Sequence, residues 1–264
     1  MLRSPFLKTL YEKRWTLLIW SLAIIVVNIL LIQLFPPIKD AFAGMMSNIP
    51  SSLQGWFGDG QMWETLEGYL SMEIMGQAGL FPIIFAIIFS LSIFANEESS
   101  GLLLAQLSRP LSRRSYFLQK YLALLTACIF IIIAFWLGTF LGTIIISGYS
   151  ISFLALAPSM LSLFLITILF GTLTFSLAAI LGNKAIPGII IAFYAVLGYF
   201  ITSLRTSAPI METISKATPF FYYNTPYVLI NGLVLKNVII LVASTILPLI
   251  ISLPIFVRRD LKTR

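Results

Sequence analysis

Residues 121–183, YLALLTACIFIIIAFWLGTFLGTIIISGYSISFLALAPSMLSLFLITILFGTLTFSLAAILGN, run for 63 positions without one charged side chain. As a single helix they would extend roughly 95 Å at 1.5 Å per residue, about three hydrocarbon cores of a bilayer. The chain must therefore fold back within this stretch. Turn-forming residues cluster at Ser147-Gly148-Tyr149-Ser150, which predicts a helical hairpin of about 120–147 and 153–182. Uncharged runs on either side add spans at about 15–35, 74–95, 185–204 and 237–257, with Gly182-Asn183-Lys184 the only hydrophilic break between the fourth and fifth. Runs of this length read as helices, not as the ~10-residue alternating strands of a barrel. The expected fold is an all-α integral membrane protein with six transmembrane helices.

Composition agrees. Of 264 residues, 59% are hydrophobic and 10% charged, against about 25% charge in an ordinary soluble domain, and the mean hydropathy is +0.97. There is no His, so no Ser-His-Asp or Cys-His nucleophile and no His-ligated zinc site can be built. The one cysteine, Cys128, lies in an apolar run and reads as a packing residue. No G-x-x-x-x-G-K-[ST] loop is present, so ATP is not bound by that route.

Six spans place both termini on one side. That side and its loops hold 13 of the 17 Lys+Arg, in residues 1–14, 96–120, 182–185 and 258–264; the other side holds Lys39, Arg205, Lys216 and Lys236. The positive-inside rule predicts cytoplasmic termini in a multi-pass protein of the cell membrane. It also accounts for a pI of ≈ 9.6 through lipid head groups, without nucleic acid. A cleaved signal peptide is disfavoured, because the first apolar run exceeds the usual 7–15 residues and Ala41-Phe42-Ala43 lies beyond it. Phe6, Leu7, Leu10 and Tyr11, interleaved with Lys8, Glu12 and Lys13, predict an amphipathic helix in the interface before the first span.

No domain boundary or internal repeat is visible. The exterior segments are expected at about 36–72 and 205–236. In the first, Trp56, Phe57, Trp63 and Tyr69 read as an interfacial aromatic belt. Within spans, Asn28, Gln33 and Gln77 read as interhelical hydrogen-bond partners, and Gly138-Thr139-Phe140-Leu141-Gly142 as a close helix crossing. Gly79, Pro82, Pro187 and Gly188 mark places where a helix could break. No span carries a central Asp, Glu, Lys or Arg, which disfavours proton- or sodium-coupled transport.

The loop after the second span, NEESSGLLLAQLSRPLSRRSYFLQKY over 96–121, carries charges of the locally unfavourable sign. Glu97 and Glu98 stand at a helix C-terminus, and Arg113 and Arg114 in the first turn of the next helix, behind Ser112 as its N-cap. Lipid anchoring explains the arginines but not the glutamates. A protein docking on the cytoplasmic face explains both, and the neighbouring leucines suit a helix set into a partner's groove.

The run E-E-x-x-G-L-L-L-A-Q-L-S-R-P-L-S-R-R followed by Lys resembles the corresponding loop in permease subunits of type-2 ATP-binding-cassette (ABC) exporters. The matching residues are Glu98, Gly101, Leu103, Leu104, Pro110, Ser112, Arg113 and Lys120; Leu102 replaces the family's usual Thr. Thr218-Pro219-Phe220-Phe221-Tyr222 and Phe256-Val257-Arg258-Arg259-Asp260 resemble two further elements of that family. The resemblance implies a single transmembrane permease domain over 1–264. It implies a dimer of permeases, homo- or heteromeric, with each subunit docked on a separate cytoplasmic ATPase. Residues 98–114 would then be the coupling helix, with Glu97, Arg114 and Lys120 beside it. Asn183 and Lys184 would make a second contact, and Pro219, Phe220, Phe221 and Tyr222 would belong to an exterior gate. ATP and Mg would be bound by the partner, leaving this chain with no catalytic residue and no cofactor. The few polar residues in the spans lean toward hydrophobic or amphiphilic cargo.

Three other readings compete with the permease. One is a stand-alone secondary transporter or channel. Another is an intramembrane enzyme, for which Glu64, Glu67 and Glu73 are the only clustered acids near a membrane boundary. The third is a scaffold that shares the architecture without transport.

Overall fold

The computed structural model describes residues 4–45, 63–93, 112–146, 149, 151–182, 185–205, 208–223 and 225–259. Among them, six helices are long and apolar enough to cross a membrane: Arg14–Ala41, Leu66–Ile93, Arg113–Ile145, Phe153–Leu181, Ala185–Ser203 and Leu235–Arg258. No strand occurs among the described residues. The long uncharged run folds back between Ile145 and Phe153: one helix stops at Ile145 and a 3₁₀ turn at Phe153–Leu156 opens the next, with Ser152 accepting the Ala155 N–H at 3.2 Å. The fourth span closes on Gly182 at φ 61°, whose N–H reaches the Ala178 carbonyl. Glycine takes that left-handed conformation without the penalty of a Cβ.

Two helix boundaries differ from expectation. The first span does not end at 35 but passes Leu34 into a second helical segment, Phe35–Met45. Pro36 and Pro37 sit in the first turn of that segment, where a missing N–H breaks no intrahelical bond. The second span starts at Leu66, earlier than 74, with the Thr65 hydroxyl accepting the Gly68 N–H at 3.2 Å. It runs as a π-helix over Leu70–Ala78 and as an α-helix over Leu80–Ile93. Glu67, expected in the exterior segment, and Glu73, expected at its boundary, therefore both belong to a membrane helix. Gly79 sits at the switch from π to α, and a Cβ there would lie 2.1 Å from the Met75 carbonyl oxygen. Only glycine fits.

The fourth span occupies the centre, packed against the second, third, fifth and sixth. Its Gly171 lets Ala86 and Leu124 approach to 3.2 and 3.5 Å of where a Cβ would stand, and Ser90 donates to the Gly171 carbonyl at 2.8 Å. The first span lies outside this core against the third, and the G-x-x-x-G pair is the reason it can. A Cβ on Gly138 would meet the Ile25 Cα at 2.8 Å, and one on Gly142 the Ile32 side chain at 2.8 Å. Between these contacts the buried Asn28 donates to the Phe135 carbonyl and the Thr139 hydroxyl at 3.2 and 3.1 Å. Gln33 adds a longer bond to the Gly142 carbonyl at 3.4 Å. Cys128 is fully buried, as a packing residue should be.

The aromatic-belt expectation fails for two residues. Trp63 and Tyr69 are buried, stacked edge-on at 5.8 Å, and the Tyr69 hydroxyl donates to the Leu31 carbonyl at 2.6 Å. Their hydroxyl, indole and ring surfaces serve the protein interior rather than head groups; Trp56 and Phe57 lie outside the described residues. The amphipathic N-terminal helix is Pro5–Glu12, capped by Ser4, with Pro5 and Thr9 against the bundle and Leu7 and Tyr11 exposed.

These contacts predict the cost of filling the crossing. Gly138→Ala should lower stability by about 1–3 kcal/mol, the usual cost of overpacking, because the atom it meets is backbone. Gly76→Ala meets only the Ser71 carbonyl at 3.6 Å and should be tolerated there. Thermal unfolding of the two variants in the same detergent checks the difference.

Candidate functional site

Three places hold the polar and aromatic side chains that geometry brings together: the basic end of the bundle, the opposite end, and a groove between spans.

At the basic end, Ser112 caps the third span by accepting the Ser115 N–H at 3.2 Å. The guanidinium of Arg113 donates to the carbonyls of Val257 and Arg259 at 3.2 and 2.8 Å. A cation unfavourable for its own helix N-terminus thus finds the carbonyl end of the sixth span, where positive charge is favoured. Arg114 is exposed. Lys120 is fully buried, with its ammonium donating to Thr9 Oγ1 at 2.6 Å and lying 5.5 Å from the Tyr116 ring centre. Thr9 in turn donates to the Pro5 carbonyl at 2.8 Å. Tyr116 and Phe117 stack on Phe256 of the sixth span at 6.5 and 5.6 Å. The start of the third span therefore binds the N-terminal helix through Lys120 and the end of the sixth through Arg113. Glu97, Glu98, Gly101, Leu103, Leu104 and Pro110 lie outside the described residues, as do Asn183 and Lys184.

At the opposite end, Pro219–Tyr223 is a short helix turned into the bundle. Pro219 and Phe220 are buried, and the Phe220 ring stands 5.5 Å from Phe170 and 5.8 Å from Tyr199. Phe221 and Tyr222 are half-buried; the Tyr222 hydroxyl donates to the Lys216 carbonyl at 2.9 Å, and Arg205 lies 6.0 Å over the Phe221 ring. The residue that sequence reasoning missed is Tyr223. Its hydroxyl donates to the Met75 carbonyl in the π-helix at 2.8 Å, while its own carbonyl accepts from Ser162 at 3.0 Å. Burial pushes this phenol well above its ordinary pKa, so it stays a donor. One tyrosine joins the second span, the fourth span and the segment before the sixth. Its only signal in the sequence was its place immediately after the Thr-Pro-Phe-Phe-Tyr run.

Between the first, second and fifth spans lies a groove of ≈ 780 Å³. Its walls are apolar, including Leu31, Ile84, Ile88 and Val196, with ring surface from Phe81, Tyr199 and Phe200. Among the described residues, its polar groups are the Tyr199 phenol and the pair Glu73 and Gln77 from the π-helix, with Gln77 donating to Glu73 Oε2 at 2.7 Å. Gln77, expected to bond between helices, bonds within its own. Glu64 and Glu67 are exposed and do not share the groove. Among the described residues, no three His, Cys, Asp or Glu side chains come together as a metal cage.

A family model for ABC-2 family transporter proteins matches residues 7–261. The chain belongs to that family. It is a multi-pass membrane permease of the ABC-transporter type, a membrane subunit rather than a nucleotide-binding ATPase, and membership implies an ATPase partner. A comparison with curated proteins finds no match.

Replacing Tyr223 by Phe leaves the Met75 carbonyl without that donor in a buried setting, which should cost about 1–3 kcal/mol. A fall in the detergent unfolding midpoint of Tyr223→Phe, with no such fall for Tyr222→Phe, checks the assignment.

Proposed function

We propose that this chain is the permease of an ATP-driven exporter that works as a dimer, homo- or heteromeric, and is driven by a separate cytoplasmic ATPase that supplies ATP and Mg. The observation that carries this reading is the clamp at the basic end. Through Arg113 and Lys120, the segment following the loop between spans two and three is bonded to both the N-terminal helix and the sixth span. A push on that loop, over residues 98–114, reaches three elements at once. Glu97, Glu98, Gly101, Leu103, Leu104 and Arg114 are assigned to the ATPase contact, and Asn183 and Lys184 to a smaller one. The basic end faces the cytoplasm of the cell membrane in this reading, as the 13-to-4 division of Lys+Arg supports.

The groove between spans one, two and five is the proposed wall of the cargo path, completed by the second permease. Its largely apolar lining supports hydrophobic or amphiphilic cargo. The segment holding Pro219, Phe220, Phe221 and Tyr222 reaches this wall through Tyr199 and supports a gate at the far end. One observation favours the second reading, a stand-alone ion-coupled transporter: Glu73 lies inside a span, where carboxylates serve ion coupling. Movement of substrate by the purified chain alone under an ion gradient would establish that alternative.

Arg113 is a poor probe of the ATPase contact, because its loss also frees the end of the sixth span. Glu97→Lys with Glu98→Lys should lower the stimulated turnover of a co-reconstituted ATPase about tenfold or more while leaving the permease folded by size-exclusion chromatography. Normal binding and turnover with both charges reversed would remove the coupling assignment.

A further inference from the structure

Among the described residues, Glu73 is the one acidic side chain lining the groove, and its surroundings are unusual for a carboxylate. It is half-buried, and its hydrogen-bond partner is the carboxamide of Gln77 at 2.7 Å, a neutral group. Among the described residues, no Lys or Arg lines the groove. The ion pairs among the described residues, Lys8–Glu12 and Lys216–Glu212, do not involve it. The basic side chains at that end of the bundle do not line it: Lys39 bonds the Tyr149 hydroxyl at 3.3 Å, Arg205 lies over Phe221, Lys216 pairs with Glu212, and Lys236 is exposed at the start of the sixth span. A carboxylate removed from water without a cation is costly, and within a membrane helix such a residue marks a ligand or ion path. Around it are aliphatic walls together with the rings of Phe81, Tyr199 and Phe200, surfaces that attract cations through their π-faces.

We propose that this groove selects lipophilic cations: molecules with a positive charge carried on bulky apolar or aromatic groups. The charge sits against Glu73, which Gln77 holds in place, and the apolar body fills the space toward Ile84, Ile88 and Val196. The ≈ 780 Å³ of the groove is in the range of pockets that enclose a drug-sized ligand. The inference rests on the reading of the groove as cargo path and adds the charge of the cargo to it.

The test uses the full chain in lipid nanodiscs and two ions of nearly the same shape, tetraphenylphosphonium and tetraphenylborate. Binding of each is corrected for partition into empty nanodiscs of the same lipid, since the membrane dipole potential favours the anion. The wild-type chain should bind the cation at least tenfold more tightly than the anion. Glu73→Gln should erase the preference by weakening the cation, and Glu73→Lys should reverse it. Val196→Trp, at an exposed position of the wall, should weaken both ions by filling the groove. Equal affinity for the two ions, or a preference that survives Glu73→Gln, overturns the proposal. If a neutral amphiphile binds the wild-type chain and is weakened by Val196→Trp while the two ions show no charge preference, the cargo path stands and only its charge selectivity falls. If Val196→Trp leaves every probe unaffected, the groove is not the binding site and both readings fall together.

Discussion

Inside a bilayer every backbone N–H and C=O must find its partner within the protein, because water is not there to supply one. Among the described residues, several departures from a regular helix are matched by a side chain that meets this demand. The π-helix of the second span leaves the Met75 carbonyl to Tyr223. Near the junction at Leu34, the Leu31 carbonyl receives Tyr69. The end of the sixth span receives Arg113, and the 3₁₀ turn that opens the fourth receives the Trp136 indole on the Phe153 carbonyl at 3.0 Å. These donors come from distant parts of the chain, so local irregularity becomes tertiary connection.

The π-helix also supplies the polar end of the groove. A π-bulge accommodates an extra residue, and one residue corresponds to about 100° of rotation on a helix. The stretch before Gly79 is thereby turned relative to the α-helical part of the same span. Its turned face presents Glu73 and Gln77 to the space that Ile84 and Ile88 line from the far side of the switch. The spacing of 73, 77, 84 and 88 is also that of one α-helical face, so the two sets of side chains share a wall on either side of the switch. Gly79 permits the change and Tyr223 satisfies it.

This explains which parts of the protein were legible in sequence. Long uncharged runs and turn clusters express a free-energy difference summed over ~20 residues, so the helices and the hairpin at 147–150 stand out. The Gly138/Gly142 crossing was legible because small residues at that spacing have few uses other than close approach. The start of the second span was not, since Glu67, Gly68 and Glu73 look like exterior polarity until a helix carries them. Trp63 and Tyr69 misled for a related reason: their amphipathic rings suit an interface or a buried hydrogen bond equally, and only the position of Leu31 decides. Arg113 was recognised as out of place on its own helix, but the carbonyls that explain it lie more than a hundred residues away. Pairings of that range leave no trace in local pattern.

The lock between the first and third spans has a mechanical consequence. The apolar part of the third helix, residues 121–145, is roughly 37 Å long at 1.5 Å per residue, beyond a hydrocarbon core of about 30 Å. Such an excess is taken up by inclining the helix or thickening the surrounding lipid. Sliding this helix against its neighbour would break the Asn28 hydrogen bonds and the close crossing at Gly138 and Gly142, which favours the two inclining together. Bilayer thickness therefore acts on the pair as a single lever, and with it on the groove wall that Val27 and Leu31 of the first span supply.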